Sequence, residues 1–296
     1  MATDQLHDRI TDQFSYRGER ADVWRAFDLL LDTDAFLNLG YSAWYQSPLL
    51  GSSQRRLATE VGSTLARQLP ATDGAGLLDV GCGRGGPTLH LAERFGYRVT
   101  GIDLVPYNVT RAWENARERR HAAEFAVGDA TRLPFAPGSF AACTAIDSLV
   151  YLPERATVFA AIADALEPEG VVVLSDLVVR GDVCDAEARL VSAFAEAWDM
   201  PALGSLEEYE RALEDVDVQV VERRDITRHS VGRFRKWTTL FCWLLESPVG
   251  VLVERALRSA GLDPVVLLPQ IRRAHEALPS LRHVIVVGKK TGEAGT

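Results

Sequence analysis

With 296 residues, 47% hydrophobic and 25% charged, the chain has material for one large domain or two small ones around an ordinary globular core. Its formal net charge of −9 argues against nonspecific nucleic-acid binding as the main activity. Cys82, Cys143, Cys184 and Cys242 form no CxxC pair, so neither a metal site nor a disulfide framework is expected. The first residues lack an apolar signal core, which points to the cytoplasm.

In chain order, residues 8–32 place Val23, Trp24, Phe27, Leu30 and Leu31 among charges, the pattern of an amphipathic helix. Leu37 to Tyr45 gathers aromatic residues around Gly40, and Gln54 to Gln68 reads as a helix with Leu57, Val61 and Leu65 on one face. A turn-rich stretch at 71–76 then leads into Leu-Leu-Asp79-Val-Gly-Cys-Gly-Arg-Gly-Gly86, a strand ending in a glycine turn. Gly81, Gly83 and Gly86 also satisfy the dinucleotide fingerprint, in which turn and helix bind a pyrophosphate. Asp79, two residues ahead of the first glycine, would repel that group and attract a cation. The nucleotide-like cofactor with an ammonium, a sulfonium and no phosphate is S-adenosylmethionine.

A helix over 87–94 follows, then a strand over 97–103 that ends in Asp103, 22 residues after Gly81. An acid at this place accepts from ribose hydroxyls in nucleotide-binding α/β sheets. The alternative is that Asp103 caps the helix predicted over 107–120. A third strand at 123–127 runs into Gly128-Asp129-Ala130, where Asp129 can accept from an adenine amine. Strands at 141–146, 171–174, 216–223 and 283–288, with helices at 155–166 and 186–198, complete an alternation that implies a doubly wound, mostly parallel sheet. Between Thr227 and Arg282 lies an insertion long for a connection. Its run Phe234 to Leu245 is interrupted by Glu246 and Pro248, too short to span a membrane. It reads as a packed helical hairpin, as a lid whose aromatic face encloses an apolar substrate, or as an interfacial segment with Arg233, Arg235 and Lys236 at lipid headgroups.

Taken in order, Asp79-Val-Gly-Cys-Gly-Arg-Gly85, Gly101-Ile-Asp103, Gly128-Asp129-Ala130 with Leu133-Pro134, Ile146 to Pro153 and Leu166 to Gly170 resemble the class I S-adenosylmethionine-dependent methyltransferases, in the subgroup that modifies sugars, quinones, sterols and macrolides. The resemblance is firm over about residues 75–180. It implies an α/β fold with a seven-stranded Rossmann-like sheet, N-terminal helices and a helical lid before the last strand. The implied division is a cap at 1–74, a cofactor core at 75–226, a lid at 227–281, and the last strand with its tail at 282–296. It also implies cofactor contacts from Asp79, Gly81, Gly83, Gly85, Asp103, Leu104, Asp129, Ala130 and Asp147, and a small-molecule methyl acceptor.

Methyl transfer is an in-line displacement, so positioning in a dry site supplies much of the catalysis, and a base is needed only where the acceptor loses a proton. Asp147, Tyr151 and Asp176 stand at the ends of strands four and five. The resembling enzymes often carry a histidine after strand four, where this chain has Val150 and Tyr151, and an acid after strand five, which Asp176 matches. His229 is a substitute base from the lid side or a loop histidine, and His275 and His283 read as structural. Tyr41, Trp44 and Trp237 are the candidate acceptor contacts, against the alternatives that Tyr41 and Trp44 belong to an N-terminal helix anchor and Trp237 to a hairpin packed on the core. Asp147 with Asp176 could hold magnesium only by approaching each other, and no Asp-Asn pair follows Asp176. A nicotinamide-dependent oxidoreductase and a noncatalytic S-adenosylmethionine-binding protein are the competing functions. The sequence leaves a homo-oligomer and peripheral membrane contact open.

Overall fold

The computed structural model describes residues 2–17, 23–26, 35–43, 45, 50–69 and 73–292. Seven strands form one sheet: β1 (Gly76–Val80), β2 (Arg98–Asp103), β3 (Glu124–Val127), β4 (Phe140–Ile146), β5 (Leu166–Val179), β6 (Val218–Asp225) and β7 (Leu281–Lys290). Their order is β3-β2-β1-β4-β5-β7-β6, parallel except for β7, which pairs antiparallel with both β5 and β6. The order reverses between β1 and β4, and ligands of open α/β sheets bind at that switch point, beyond the carboxyl ends of the strands.

Alternation along each strand explains the two covered faces. Leu78, Val172, Leu174, Val284 and Val286 point to one core with Phe159, Ile162 and Tyr209. Leu77, Val171, Val173, Ile285 and Val287 point to the other, with Leu57, Val61 and Leu65. A sheet buried on both faces needs such unbroken apolar runs. The helices over these faces are α1 (Ala2–Phe14), α2 (Leu50–Gln68), α3 (Gly86–Phe95), α4 (Pro106–Arg119), α5 (Arg155–Ala165), α6 (Asp185–Ala197) and α7 (Leu206–Glu214). Pro87 opens α3 and Gly96 closes it in the left-handed conformation. Ser205 and Glu208 form the capping box of α7, a helix absent from the sequence reading.

The inserted segment is three helices, α8 (Val231–Glu246), α9 (Gly250–Ser259) and α10 (Pro264–Ala277). Leu257, Leu267 and Ala274 share a cluster with Leu6, Ile10, Phe14 and Trp24 of the N-terminal region and with Phe194 and Trp198. The N-terminal residues and the insertion therefore pack as one apolar layer above the switch point. The first helix ends at Phe14, so the single helix expected over 8–32 is not formed. Phe27, Leu30 and Leu31 lie outside the described residues.

Candidate active site

A cavity opens at the carboxyl ends of β1, β2, β3 and β4. Gly81, Gly83, Asp103, Leu104, Asp129, Ala130 and Asp147 line it, together with Arg84, Asn108 and Asn38. Gly81 turns the chain at φ +72°, and a Cβ there would stand 2.3 Å from Cβ of Ser148. Only glycine tolerates both the left-handed backbone and this close approach. The turn is fastened where the Gly81 and Cys82 N–H groups both donate to the Ile102 carbonyl, at 2.8 and 2.9 Å.

Asp103 is the organiser of this cavity. Its Oδ2 accepts from the Gly83 N–H at 2.9 Å, and its Oδ1 accepts from the Val105 N–H at 2.9 Å and the Asn108 amide at 3.1 Å. Burial pushes its carboxyl above the usual range, and those three donors pull it back. Asp129 accepts at one oxygen from both the N–H and the hydroxyl of Thr131. The buried Oδ1 of Asn108 has no partner, an acceptor left for a ligand in the same cavity.

Two expected cofactor residues sit elsewhere. Asp79 is 1% exposed and does not line the cavity. Its oxygens accept from the Thr88 hydroxyl at 2.5 Å and the Thr144 hydroxyl at 3.0 Å, and burial raises its pKa to about 6 against those two bonds. The geometry corrects the picture of an open carboxylate facing an ammonium. Asp79 instead ties β1 to α3 and β4 beneath the turn. Gly85, with φ +79°, caps α3 and is walled by Ala112 and Phe125.

A second chamber adjoins the first, and Leu37, Asn38, Asp147 and Tyr151 line both. Trp24, Val150, Leu177, Phe194, Trp198, Met200, Phe234 and Leu278 make its wall apolar. Into that wall Asp176 is set. The fifth strand continues to Val179, so Asp176 lies within it, opposite Val284. Asp176 is 1% exposed, and its Oδ2 accepts from the Tyr209 hydroxyl at 2.8 Å. Burial and the Asp147 charge raise its pKa to about 7, although Tyr209 and Arg155 oppose the shift.

Asp147, at the seam of the two cavities, holds φ +54°. It accepts from the Leu39 N–H at 2.7 Å and the Ser175 hydroxyl at 2.7 Å, and the Nε2 of buried His283 lies 2.9 Å from its Oδ1. Burial would raise this carboxyl, but the His283 charge and these bonds together hold it below the usual range. Tyr151 is raised by burial and by Asp199, Asp176 and Asp147, so its phenol keeps its proton and is not a base.

The remaining expected residues are not brought together. His229 lines neither cavity: it sits in a short turn after β6, its ring 5.0 Å from that of Tyr41, and its carbonyl accepts from Ser42. That contact holds it and Tyr41 away from the chamber, which corrects both assignments. Trp237 is 50% exposed and does not line the chamber, whereas Phe234, nearly one turn earlier on α8, does. Trp44 lies outside the described residues.

Sequence reasoning missed Asn38, and it read His283 as structural without finding its link to Asp147. Asn38 is buried, and neither atom of its amide has a partner, although Gln54 fixes its carbonyl at 2.7 Å. Its signal was a polar residue inside an aromatic segment. His283 becomes significant only through the insertion of β7 beside β5, which sets it opposite Leu177.

The comparisons with known proteins agree with this geometry. The family described as "Methyltransferase domain" matches residues 78–174. The O-methyltransferase resE of Aspergillus sclerotiorum is 30% identical over 254 residues, 82% of this chain and 92% of its own. The 27-O-demethylrifamycin SV methyltransferase of Amycolatopsis mediterranei is 27% identical over 271 residues, 90% of this chain and 94% of its own. The fold is shared with geranyl diphosphate C-methyltransferase from Streptomyces coelicolor A3(2), solved with Mg²⁺, geranyl-S-thiolodiphosphate and S-adenosyl-L-homocysteine. That match has a TM-score of 0.70 and 18% identity, over 97% of this chain and 98% of the other.

The fold and cavity define a class I nucleotide-cofactor enzyme, and the chain belongs to the S-adenosylmethionine-dependent methyltransferases. It is an enzyme of methyl transfer to small molecules with S-adenosylmethionine as cofactor, and neither competing function is supported.

Proposed function

We propose that this methyltransferase modifies a hydroxyl, an enol or an activated carbon of a small, largely apolar molecule seated in the second chamber, with Asp176 as the general base. When bound, the cofactor would supply a methyl group whose bond to the sulfonium sulfur breaks as the acceptor takes it, leaving the neutral thioether S-adenosylhomocysteine. Asp103, Asp129, Gly81, Gly83, Leu104 and Ala130 would hold it along the strand ends. Tyr151, Asn38 and Asp147 stand between that cavity and the acceptor. As the acceptor's bond to the methyl group forms, its O–H or C–H bond breaks toward a carboxylate oxygen of Asp176. The observation that carries this reading is one buried carboxyl with a pKa of about 7 in an apolar wall, poised to accept a proton near neutral pH.

The relatives' names, a rifamycin derivative for one and an O-methyltransferase for another, support an oxygen acceptor. The four cysteines are free, which suits a cytoplasmic setting. Among the described residues no helix is long and apolar enough to cross a membrane.

A test is release of S-adenosylhomocysteine across a panel of phenols and enols as pH varies. Wild-type turnover should rise with pH through about 7 as Asp176 ionises. Asp176→Asn should lower kcat by about 10²–10⁴-fold. Stability should run the other way. A carboxyl with a raised folded pKa contributes stability at low pH that is lost as pH rises toward 7, so Asp176→Asn should melt above the wild type at pH 8. An Asn variant with the wild-type rate and pH profile removes Asp176 as base.

A further inference from the structure

Twelve large hydrophobic side chains are exposed among the described residues, and seven of them fall between Trp237 and Val265. Trp237, Leu240 and Trp243 recur every third residue along α8, and Val249, Val251 and Leu252 follow at the start of α9. Only residues 247–249 separate the two helices, so Trp243, Val249, Val251 and Leu252 crowd one hairpin tip, where Trp243 is 62%, Val251 72% and Leu252 62% exposed. The tip is tightly closed: the Gly250 N–H donates to the Ser247 carbonyl at 2.9 Å, and a Cβ on Gly250 would meet the Leu245 carbonyl at 2.2 Å. A soluble surface rarely concentrates apolar area in this way without a partner.

Charge identifies the partner. Residues 231–277 carry seven Arg and Lys side chains against four Asp and Glu, in a chain whose net charge is −9. The body below therefore holds all but four of the 41 acids. Two acids of the insertion are engaged by its own arginines, Glu254 by Arg258 and Glu246 by Arg272. Arg235 and Lys236 are exposed directly before Trp237. Arg233, expected at headgroups, instead donates to the carbonyls of Ser42 and Ala43 and fastens the insertion to the N-terminal segment. A second copy of this face would bring like charges together. An anionic bilayer would attract the basic helices, accept tryptophan at its interface and repel the acidic body.

We infer that the α8–α9 tip docks on an anionic lipid surface, with Trp243, Val249, Val251 and Leu252 entering the headgroup boundary and Arg235 and Lys236 meeting lipid phosphates. The inference deepens the reading of an apolar acceptor, since Phe234 of α8 and Ala274 of α10 line the chamber from the inner side of the same layer. An acceptor dissolved in the bilayer would reach the chamber beneath the docked helices.

The probe is co-sedimentation with vesicles of phosphatidylcholine alone and of phosphatidylcholine mixed equally with phosphatidylglycerol. The chain should partition to the mixed vesicles with a blue shift of tryptophan emission, and added salt should weaken binding. The double variant Trp243→Glu, Leu252→Glu should lose about tenfold or more of that partition. Arg235→Gln and Lys236→Gln should each lose about fivefold. S-adenosylhomocysteine affinity, read by calorimetry, should stay unchanged in every variant and reports their folding. Equal sedimentation with and without vesicles overturns the inference. So does a dimer in sedimentation velocity that the double variant dissolves, since the tip would then serve a second copy. Either failure with cofactor affinity intact leaves the methyltransferase reading standing.

Discussion

The cofactor cavity and the acceptor chamber share four lining residues yet are built on opposite principles. The cavity is built mainly from short contiguous pieces, 80–84, 102–105, 128–130 and 146–148, each at the end of one parallel strand, with His7, Ile10 and Phe14 of α1 and Ala35, Leu37 and Asn38 completing its wall. Much of its wall is backbone, and its polar groups hold one another, as Asp103 holds Gly83, Val105 and Asn108. The chamber takes single side chains from distant segments, among them Trp24, Gln54, Asp176, Trp198, Phe234 and Leu278. Its polar groups are sparse and partly unpaired. A site built from contiguous backbone is constrained to one ligand shape, whereas a site built from side chains on movable layers can change its ligand by substitution.

The sharpest break between the two regions is expected at Asp103. Hydrogen bonds to a charged group are each worth about 1.5–3 kcal/mol, so losing the proposed ribose contacts and the Gly83 anchor together should weaken S-adenosylhomocysteine binding by about 100-fold or more. Calorimetry on Asp103→Ala measures it. Tryptophan emission from Trp24 and Trp198 should meanwhile stay near the wild type, because neither touches the cavity Asp103 organises. Affinity within about twofold of wild type would remove Asp103 from the cofactor contacts, and the contrast between the regions with it.

That contrast also explains what the sequence could reveal. The first four strands were legible because each joins an apolar run to a turn with an acid or a glycine, and the parallel sheet needs exactly one such junction per strand. Asp79 was read as a cofactor ligand because position along the chain does not show that Thr88 and Thr144 close over it. His283 is legible as structural, but its partner is not, because Asp147 is 136 residues away and is met only once β7 enters between β5 and β6. Trp237 was preferred to Phe234 because aromatic size is visible in a sequence and the inward face of a helix is set by its partners. The missed α7 has a clear capping box, Ser205 with Glu208, so there the signal was present and went unread.

A smaller effect separates the regions at their seam. Asn38 presents both a donor and an acceptor without partners, buried where cavity and chamber meet. An amide cannot take a proton, so the role we propose for it is to orient the acceptor's oxygen. Asn38→Leu keeps the volume and removes both bonds, and at about 1–1.5 kcal/mol should raise KM for a hydroxylated acceptor by about tenfold. The dependence of kcat on Asp176 should persist, and cofactor affinity should hold. A fall in cofactor affinity equal to the loss for the acceptor would instead assign the Asn38 amide to the cofactor.

The finest division lies within α8, between residues three apart. Phe234 enters the chamber wall, and Trp237 stands half in solvent. Phe234→Ala removes apolar area from the acceptor's surroundings and should raise KM by about fivefold to tenfold, since partial burial of one ring against a ligand is worth about 1–1.5 kcal/mol. Trp237→Ala removes nothing the acceptor touches and should leave kcat and KM for a soluble acceptor within about twofold. Steady-state kinetics on the pair therefore reads which face of the insertion encloses the substrate. Equal losses from both substitutions would mean that α8 rotates when the acceptor binds and that its two faces are not separate surfaces. Opposed results would fix the inner face as the determinant of the acceptor and leave the outer one free to meet a lipid surface.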